Sequence, residues 1–256
     1  MKSSHLAIAM AAIVATAACN GDKNGANDVA GSADSSTTTS APVAPPASGD
    51  WTEVVAATDA GGFMMGNPNA KVKLVEFGSM TCPHCARFDK VAYEPLTQKY
   101  VKTGQVAYEF RNFVRDPFDV TASLVARCGG AKTFFPLTNA MYADQENWVA
   151  KIQAATPEQQ QALGTMGPEK EFAAIADLAG FKQWAAMRGI PAAKIDACLT
   201  DQNAVNRLVQ MNNDAVSQFN VPGTPTFVMN GKLVEMDGVP EANVWPTLES
   251  KIKAAL

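Results

Sequence analysis

The sequence is poor in side chains that bind metal ions. Its 256 residues include two histidines, His5 and His84, and five cysteines. The densest group is TCPHC at residues 81–85, which offers three ligands at best, whereas a structural zinc site takes four. This inventory disfavours a resident metal, and a non-enzymatic metal-binding chaperone is kept only as a distant alternative.

Clusters of positive charge are missing as well. The formal net charge is -4, and no run of lysine and arginine residues occurs. Nucleic-acid binding would need a basic patch to neutralise phosphate groups. We therefore expect no nucleic-acid partner.

One long apolar run is present, and it lies near the start of the chain. Lys2 precedes the uncharged residues 6–18, which end in small side chains and are too short for a stop-transfer helix. We predict a signal peptide over residues 1–18. Export would place the protein in the periplasm or cell envelope, where disulfides persist.

Cys19 directly follows this run. The stretch Thr16-Ala17-Ala18-Cys19 resembles the lipobox of bacterial lipoproteins, in which the cysteine becomes the lipidated N-terminus. Thr16 departs from the usual leucine. The resemblance implies lipidation of Cys19 and a lipid anchor to the membrane, whereas ordinary cleavage after Ala17 would leave Cys19 incidental.

Large apolar side chains are scarce over residues 20–50, which are rich in Ser, Thr, Ala, Pro and Gly. Such a stretch cannot bury enough surface to offset its ordering entropy. We predict a disordered tether over residues 19–50 and a globular region that begins at Trp51.

The globular region starts with a strand–helix–strand pattern over residues 51–115. Residues 72–77 and 106–113 are rich in β-branched and aromatic side chains and predict strands. Between them, Cys82 and Cys85 stand at the head of a predicted helix, with Thr81 as its N-cap and Pro83 in its first turn. A single helix between the strands predicts that they are parallel.

The rest of the chain predicts helices and then a hairpin. Residues 116–219 repeat apolar side chains at helical spacing, with Phe118 and Trp148 as candidate core residues. Residues 220–256 contain two short strands around Asn230-Gly231, which favours a two-residue turn, and a final helix. A β-α-β half and a β-β-α half are thus separated by about a hundred helical residues.

This arrangement resembles the thioredoxin fold with a helical insertion, as in the DsbA-like thiol:disulfide oxidoreductases. The resemblance is carried by VEFGSMTCPHC at residues 75–85 and VPGTPTF at residues 221–227, and it covers roughly residues 62–256. It implies an α/β thioredoxin-like fold with an inserted all-helical subdomain. It also implies redox chemistry by the two cysteines without a cofactor.

The position of Cys82 suits a nucleophile. Only a thiolate attacks a disulfide, and the N–H groups at a helix N-terminus favour a negative charge. His84 lies close enough in sequence to add positive charge or a hydrogen bond, unless it is merely a solvated surface residue. Cys85 lies deeper in the helix and would resolve the mixed disulfide.

Other candidate site residues follow from the resemblance. Glu76 interrupts an apolar strand, and the family places an acid there to relay the proton of Cys85; an edge position is the alternative. The family often pairs this acid with a lysine, where Tyr108 stands here. The resemblance implies that the Thr224–Pro225 peptide bond is cis and faces the cysteines. The Thr224 backbone would then pair with an extended substrate peptide. The alternative is a trans proline that opens the following strand.

Cys128 and Cys198 are left over. In an oxidising compartment they are expected to form a structural disulfide, the alternative being two buried free thiols. Phe77, Met80 and Phe227 flank the motif and are expected to belong to the core.

Together these observations predict an exported, lipid-anchored thiol:disulfide oxidoreductase. We favour a dithiol oxidase that acts on the thiols of newly exported proteins and is reoxidised by a quinone-linked membrane partner. An isomerase or reductase kept reduced by a membrane electron donor is the alternative. Isomerases of this kind usually carry a separate dimerisation domain, which residues 20–50 do not offer, so we expect a monomer.

Overall fold

The computed structural model describes residues 44–256. The predicted signal peptide, Cys19 and most of the predicted tether lie outside these residues. Within the described part of the chain, no helix is both long and apolar enough to cross a bilayer.

The centre of the fold is a six-stranded mixed sheet. Its strands are β1 (Val55–Ala57), β2 (Phe63–Met65), β3 (Val72–Gly78), β4 (Val106–Asn112), β5 (Thr226–Met229) and β6 (Lys232–Leu233), arranged in the order β1-β2-β4-β3-β5-β6. β3 and β4 are parallel, as predicted, and the other pairs are antiparallel. β3 is therefore a central strand with a partner on each side.

Ten α-helices accompany the sheet in the described residues. They are α1 (Pro83–Leu96), α2 (Pro117–Arg127), α3 (Ala131–Ala143), α4 (Gln145–Gln153), α5 (Pro157–Leu163), α6 (Pro168–Ala179), α7 (Phe181–Ala186), α8 (Ala192–Leu199), α9 (Gln202–Phe219) and α10 (Val244–Ala255). α2 to α9 all lie between β4 and β5 in the chain. The predicted fold class, a thioredoxin-like sheet with a helical insertion, is confirmed.

The insertion packs against the sheet through one apolar core. Phe134 of α3 stacks on Phe63 of β2 with ring centroids 4.3 Å apart, and its ring also lies 5.7 Å from that of Phe110 of β4. Trp148 is buried and contacts Phe181, whereas Phe118 is only half-buried. Because Cys82 and Cys85 belong to the same buried cluster, the insertion shapes the surroundings of both sulfurs.

Cys128 and Cys198 form a disulfide within the insertion. It joins the end of α2 to α8, and the two residues are 70 positions apart in the chain. Closing a loop of that length restricts the unfolded chain, which typically stabilises a domain by about 2–4 kcal/mol.

Candidate active site

The two motif cysteines lie where β3 passes into α1. Cys82 is the N-cap residue, Pro83 is the first helical residue, and Cys85 follows within the first turn. Both cysteines are free thiols and both are buried, with 2% and 0% of their surface exposed. The prediction that Thr81 caps the helix is wrong, because Pro83 opens the helix one residue later than a Thr81 cap requires.

Cys82 is held in a form that favours the thiolate. The Cys82 pKa is lowered from 9.0 to about 5. The largest cause is a hydrogen bond from the Cys85 thiol, and hydrogen bonds from the Thr224 side chain and from the backbone N–H groups of Cys85 and His84 add to it. Together these bonds outweigh burial, which raises the pKa. The protonated thiol can donate to the Thr224 carbonyl oxygen, 3.3 Å away. Ionisation gives up that bond, and the donors around the sulfur then stabilise the charge.

Cys85 has the opposite character. Burial first, and then the neighbouring Cys82 sulfur and Glu76, raise the Cys85 pKa well above its ordinary value. Cys85 therefore stays protonated at neutral pH and can donate to the Cys82 thiolate. One cysteine is prepared to attack and the other to hold a proton.

The His84 side chain is placed differently from the sequence expectation. Its Nδ1 lies 2.9 Å from Glu241 Oε1 and 2.9 Å from Nη2 of Arg87, and 59% of the side chain is exposed. Arg87 also bonds to Glu241. The contribution of His84 to the Cys82 thiolate comes from its backbone N–H instead of the imidazole.

Glu76 lies inside the sheet, so the edge position considered from sequence is wrong. It is 2% exposed and stands between Phe110 of β4 and Phe227 of β5. The Tyr108 hydroxyl donates to Glu76 Oε2 at 2.7 Å, which occupies the place of a lysine partner. The Glu76 pKa is raised to about 8. Burial is the main cause and the charge of Asp89 raises the pKa further, whereas the hydrogen bond from Tyr108 lowers it.

This pKa predicts a pH-dependent stability difference between the wild type and Glu76→Gln. The folded pKa is raised above 4.5, so the contribution of Glu76 to stability is present at acidic pH and lost as pH rises through 8. Between about pH 5 and pH 7, the oxidised wild type, which lacks the Cys82 charge that also raises the Glu76 pKa, should lose at most roughly 2.5 kcal/mol of unfolding free energy relative to Glu76→Gln. Urea unfolding at both pH values measures this difference.

The oxidised protein is used because Cys82 does not titrate in a disulfide. The matched control is Glu94→Gln, which makes the same change on the exposed side of α1. If the Glu76→Gln and Glu94→Gln proteins follow the same pH course, the buried carboxyl is not the cause.

The turn before Cys82 is held by side chains of the insertion, which sequence reasoning missed. Buried Asp119 accepts from Met80 N at 2.8 Å and from the Ser79 hydroxyl at 2.5 Å. Buried Gln145 donates to the carbonyl oxygens of Met80 at 2.7 Å and Cys82 at 3.0 Å. These bonds satisfy the backbone groups of a buried turn and fix the position of the Cys82 sulfur.

Thr224 and Pro225 complete the site on the other side. Their peptide bond is cis, and Thr224 presents its carbonyl oxygen to Cys82. Next to them lies an open groove of about 930 Å³ between α1 and the segment that leads into α10. Phe227 lines this groove and is mostly buried. Phe77 and Met80 are buried in the core and do not line the groove.

No metal centre is found among residues 44–256. In that range, no three His, Cys, Asp or Glu side chains are grouped so that they could hold an ion.

Comparisons with known proteins place this geometry in a family. The family model described as thioredoxin matches residues 58–244. A provisionally named protein-disulfide oxidoreductase of Rickettsia bellii is 27% identical over 178 residues, which cover 69% of this chain and 60% of that protein. The thiol:disulfide interchange protein DsbA of Bordetella parapertussis is 28% identical over 164 residues, or 63% of this chain and 65% of the relative.

Solved structures agree with the sequence relatives. The crystal structure of a protein-disulfide isomerase from Novosphingobium aromaticivorans is 34% identical and has a TM-score of 0.68, covering 74% of this chain and 96% of that one. Wolbachia pipientis alpha-DsbA1, at 19% identity and a TM-score of 0.57, shares the fold; the alignment covers 75% of this chain and 89% of that one. The chain spans about 60% of the length of the Rickettsia relatives. It belongs to the thioredoxin family, and its relatives include DsbA-like protein-disulfide oxidoreductases.

Proposed function

We propose that this protein is a thiol:disulfide oxidoreductase that works through Cys82 and Cys85, and that it oxidises the dithiols of client proteins. The observation that carries the proposal is the opposite ionisation of the two cysteines. The Cys82 pKa is lowered to about 5, whereas the Cys85 pKa is raised. A stable thiolate is a good leaving group, so the reduced form of the pair is favoured and its disulfide is readily given up.

The exchange has two balanced steps. A client thiolate attacks Sγ of Cys82 in the Cys82–Cys85 disulfide, the S–S bond breaks, and Cys85 leaves with the electron pair and takes up a proton. The second client thiolate then attacks the client sulfur of the mixed disulfide, and Cys82 leaves as a thiolate. The client loses two electrons and gains a disulfide, and the protein ends reduced, with Cys82 as a thiolate and Cys85 as a thiol.

Glu76 has the properties of the proton donor to Cys85. Its pKa of about 8 keeps it protonated at neutral pH, and its charge would raise the Cys85 pKa further. A proton passed from Glu76 to Cys85 as it leaves would move the single buried negative charge from the sulfur to the carboxylate, which has the lower pKa of the two. Tyr108 would hold the resulting carboxylate through its hydroxyl.

The groove beside Thr224 supports a protein client. Its apolar lining includes Phe88, Val239 and Trp245, and it lies directly next to the cis Thr224–Pro225 bond. An extended client segment could pair with the half-buried Thr224 backbone and place its side chains in this groove. The client cysteine would then face Sγ of Cys82.

Export and membrane attachment are part of the proposal and depend on the sequence. Residues 1–18 and Cys19 carry the signal and lipobox patterns. The Cys128–Cys198 disulfide suits an oxidising compartment such as the periplasm. We infer that a quinone-linked membrane partner reoxidises the Cys82–Cys85 pair and that the protein acts as a monomer.

A second candidate is a disulfide isomerase. It is favoured by the Novosphingobium aromaticivorans protein, which is named an isomerase and is 34% identical to this chain. An isomerase needs its active-site pair to be reduced, so a membrane electron donor would replace the quinone-linked oxidase.

The equilibrium of the Cys82–Cys85 pair with glutathione tests the oxidase candidate. The oxidase proposal predicts a potential more oxidising than about −180 mV, whereas a value near about −270 mV, that of thioredoxin, would overturn it. Acid quenching, alkylation and mass analysis of the peptide that contains residues 82–85 report this pair alone. Signals from Cys128 and Cys198 are thereby excluded.

A further inference from the structure

The groove beside the active site has two unlike walls. One wall is apolar and includes Met236, Val239, Val244 and Trp245. The other is α1, which presents Phe88 and Val91 together with an edge of nitrogen-bearing side chains, His84, Arg87 and Lys90. A client segment in the groove would contact apolar groups on one side and a basic edge on the other.

Glu241 divides this basic edge into two parts. It is the one acidic side chain among the described residues that line the groove, and it bonds to both His84 and Arg87. These two lie nearest to Cys82, and the Glu241 carboxylate offsets the charge of Arg87. Lys90 takes part in none of the ion pairs found among residues 44–256, although it lines the same groove.

The distance from Lys90 to the sulfur fixes where a client charge would bind. Lys90 follows Cys82 by eight residues, and the helix rises 1.5 Å per residue, so the two lie roughly 12 Å apart along α1. An extended peptide advances about 3.3 Å per residue. A client side chain near Lys90 would therefore stand three or four residues from the client cysteine.

We propose that the site prefers clients with an apolar segment that carries an acidic residue three or four positions from the reactive cysteine, and that Lys90 binds this residue. The inference rests on the thiol exchange proposed above and names its substrate class. Because Glu241 bonds to His84 and Arg87, the two side chains closer to the sulfur, Lys90 is the residue left to bind the acidic residue of the client.

The test uses the oxidised protein and three reduced two-cysteine peptides. The peptides are identical and apolar except for Glu, Gln or Lys at the third and fourth positions from the first cysteine. An exposed pair of charges interacts weakly, so the wild type should oxidise the Glu peptide about 2- to 5-fold faster than the Lys peptide. Higher salt should reduce this ratio.

Variants locate the preference. Lys90→Glu should invert the ratio and Lys90→Gln should bring it close to one, whereas Lys170→Glu, the same charge change on exposed α6 of the insertion, should leave it unchanged. Glu241→Gln should increase the ratio, because it releases Arg87 and His84. Since every variant receives the same peptides, the effect of peptide charge on the peptide's own thiol cancels.

The Gln peptide separates this inference from the function itself. If it is oxidised and the Glu-to-Lys ratio is the same in the wild type, Lys90→Gln and Lys90→Glu, the assignment of Lys90 is overturned while the exchange activity stands. If the wild type does not oxidise the Gln peptide, the proposed function is overturned and the client preference with it.

Discussion

Replacing Cys82 with serine is expected to abolish thiol–disulfide exchange with any client. Serine cannot form a disulfide with Cys85, so the variant has no active-site disulfide for a client thiolate to attack. The measurement is the oxidation of the Gln peptide by stoichiometric protein, followed by the mass of the peptide. Exchange at a rate near that of the wild type would mean that the Cys82–Cys85 disulfide is not the oxidant.

Two controls make this result specific. Cys85→Ser leaves Cys82 in place and removes the sulfur that would release it, so this variant should accumulate a mixed disulfide when given an oxidised peptide. The double variant Cys128→Ser, Cys198→Ser removes the structural disulfide, which lies within the insertion, and should keep the exchange activity. Loss of exchange in all three variants would indicate a general effect on folding instead.

Raising the pH from 5 to 9 is expected to stabilise the reduced wild type relative to reduced Cys82→Ala by at most about 5 kcal/mol. The folded pKa of Cys82, about 5, lies below the ordinary value of 9.0. A lowered pKa contributes stability that is complete above pH 9 and is lost as pH falls through 5. This stabilisation of the thiolate is the source of the proposed oxidising power.

Urea unfolding of both reduced proteins across this pH range measures the effect. The same reductant acts on Cys128 and Cys198 in both samples, so their state cancels in the comparison. Two stability curves that run parallel between pH 5 and pH 9 would contradict a stabilised thiolate at Cys82. Such a result would also remove the argument for an oxidase.

The parts of the site that could be predicted from sequence are local. The cysteines, Pro83 and Thr224-Pro225 stand in short motifs at element boundaries, and each motif can be recognised without knowing that Thr224 lies 142 residues from Cys82. Glu76 was found because a charge in an apolar strand needs an explanation. The one local error is the helix cap, where Thr81 has the better intrinsic propensity but Cys82 occupies the position.

The residues that escaped prediction act over long separations in the chain. Asp119 is 39 residues from Met80, and Gln145 is 65 residues from it, yet both bond to that backbone. Glu241 is 157 residues from His84. The sequence around a polar residue does not reveal which distant residue it will bond to. That partner depends on how the helices and loops pack in the folded protein.

The missed strands have a different cause. β1 and β2 contain three residues each, and a run of that length gives no reliable periodicity. They form because β4 offers an open edge to β2, and β2 in turn pairs with β1. Their existence depends on a sheet that is already formed.

The central claim is that the fold ionises Cys82 and keeps Cys85 protonated. The most direct measurement is the pH dependence of alkylation of the reduced protein, with the modified cysteine identified by mass analysis. We predict that Cys82 is modified first, with half of its maximal rate near pH 5, and that Cys85 stays unmodified at neutral pH. Half-maximal modification near pH 9, or equal modification of both cysteines, would contradict the account.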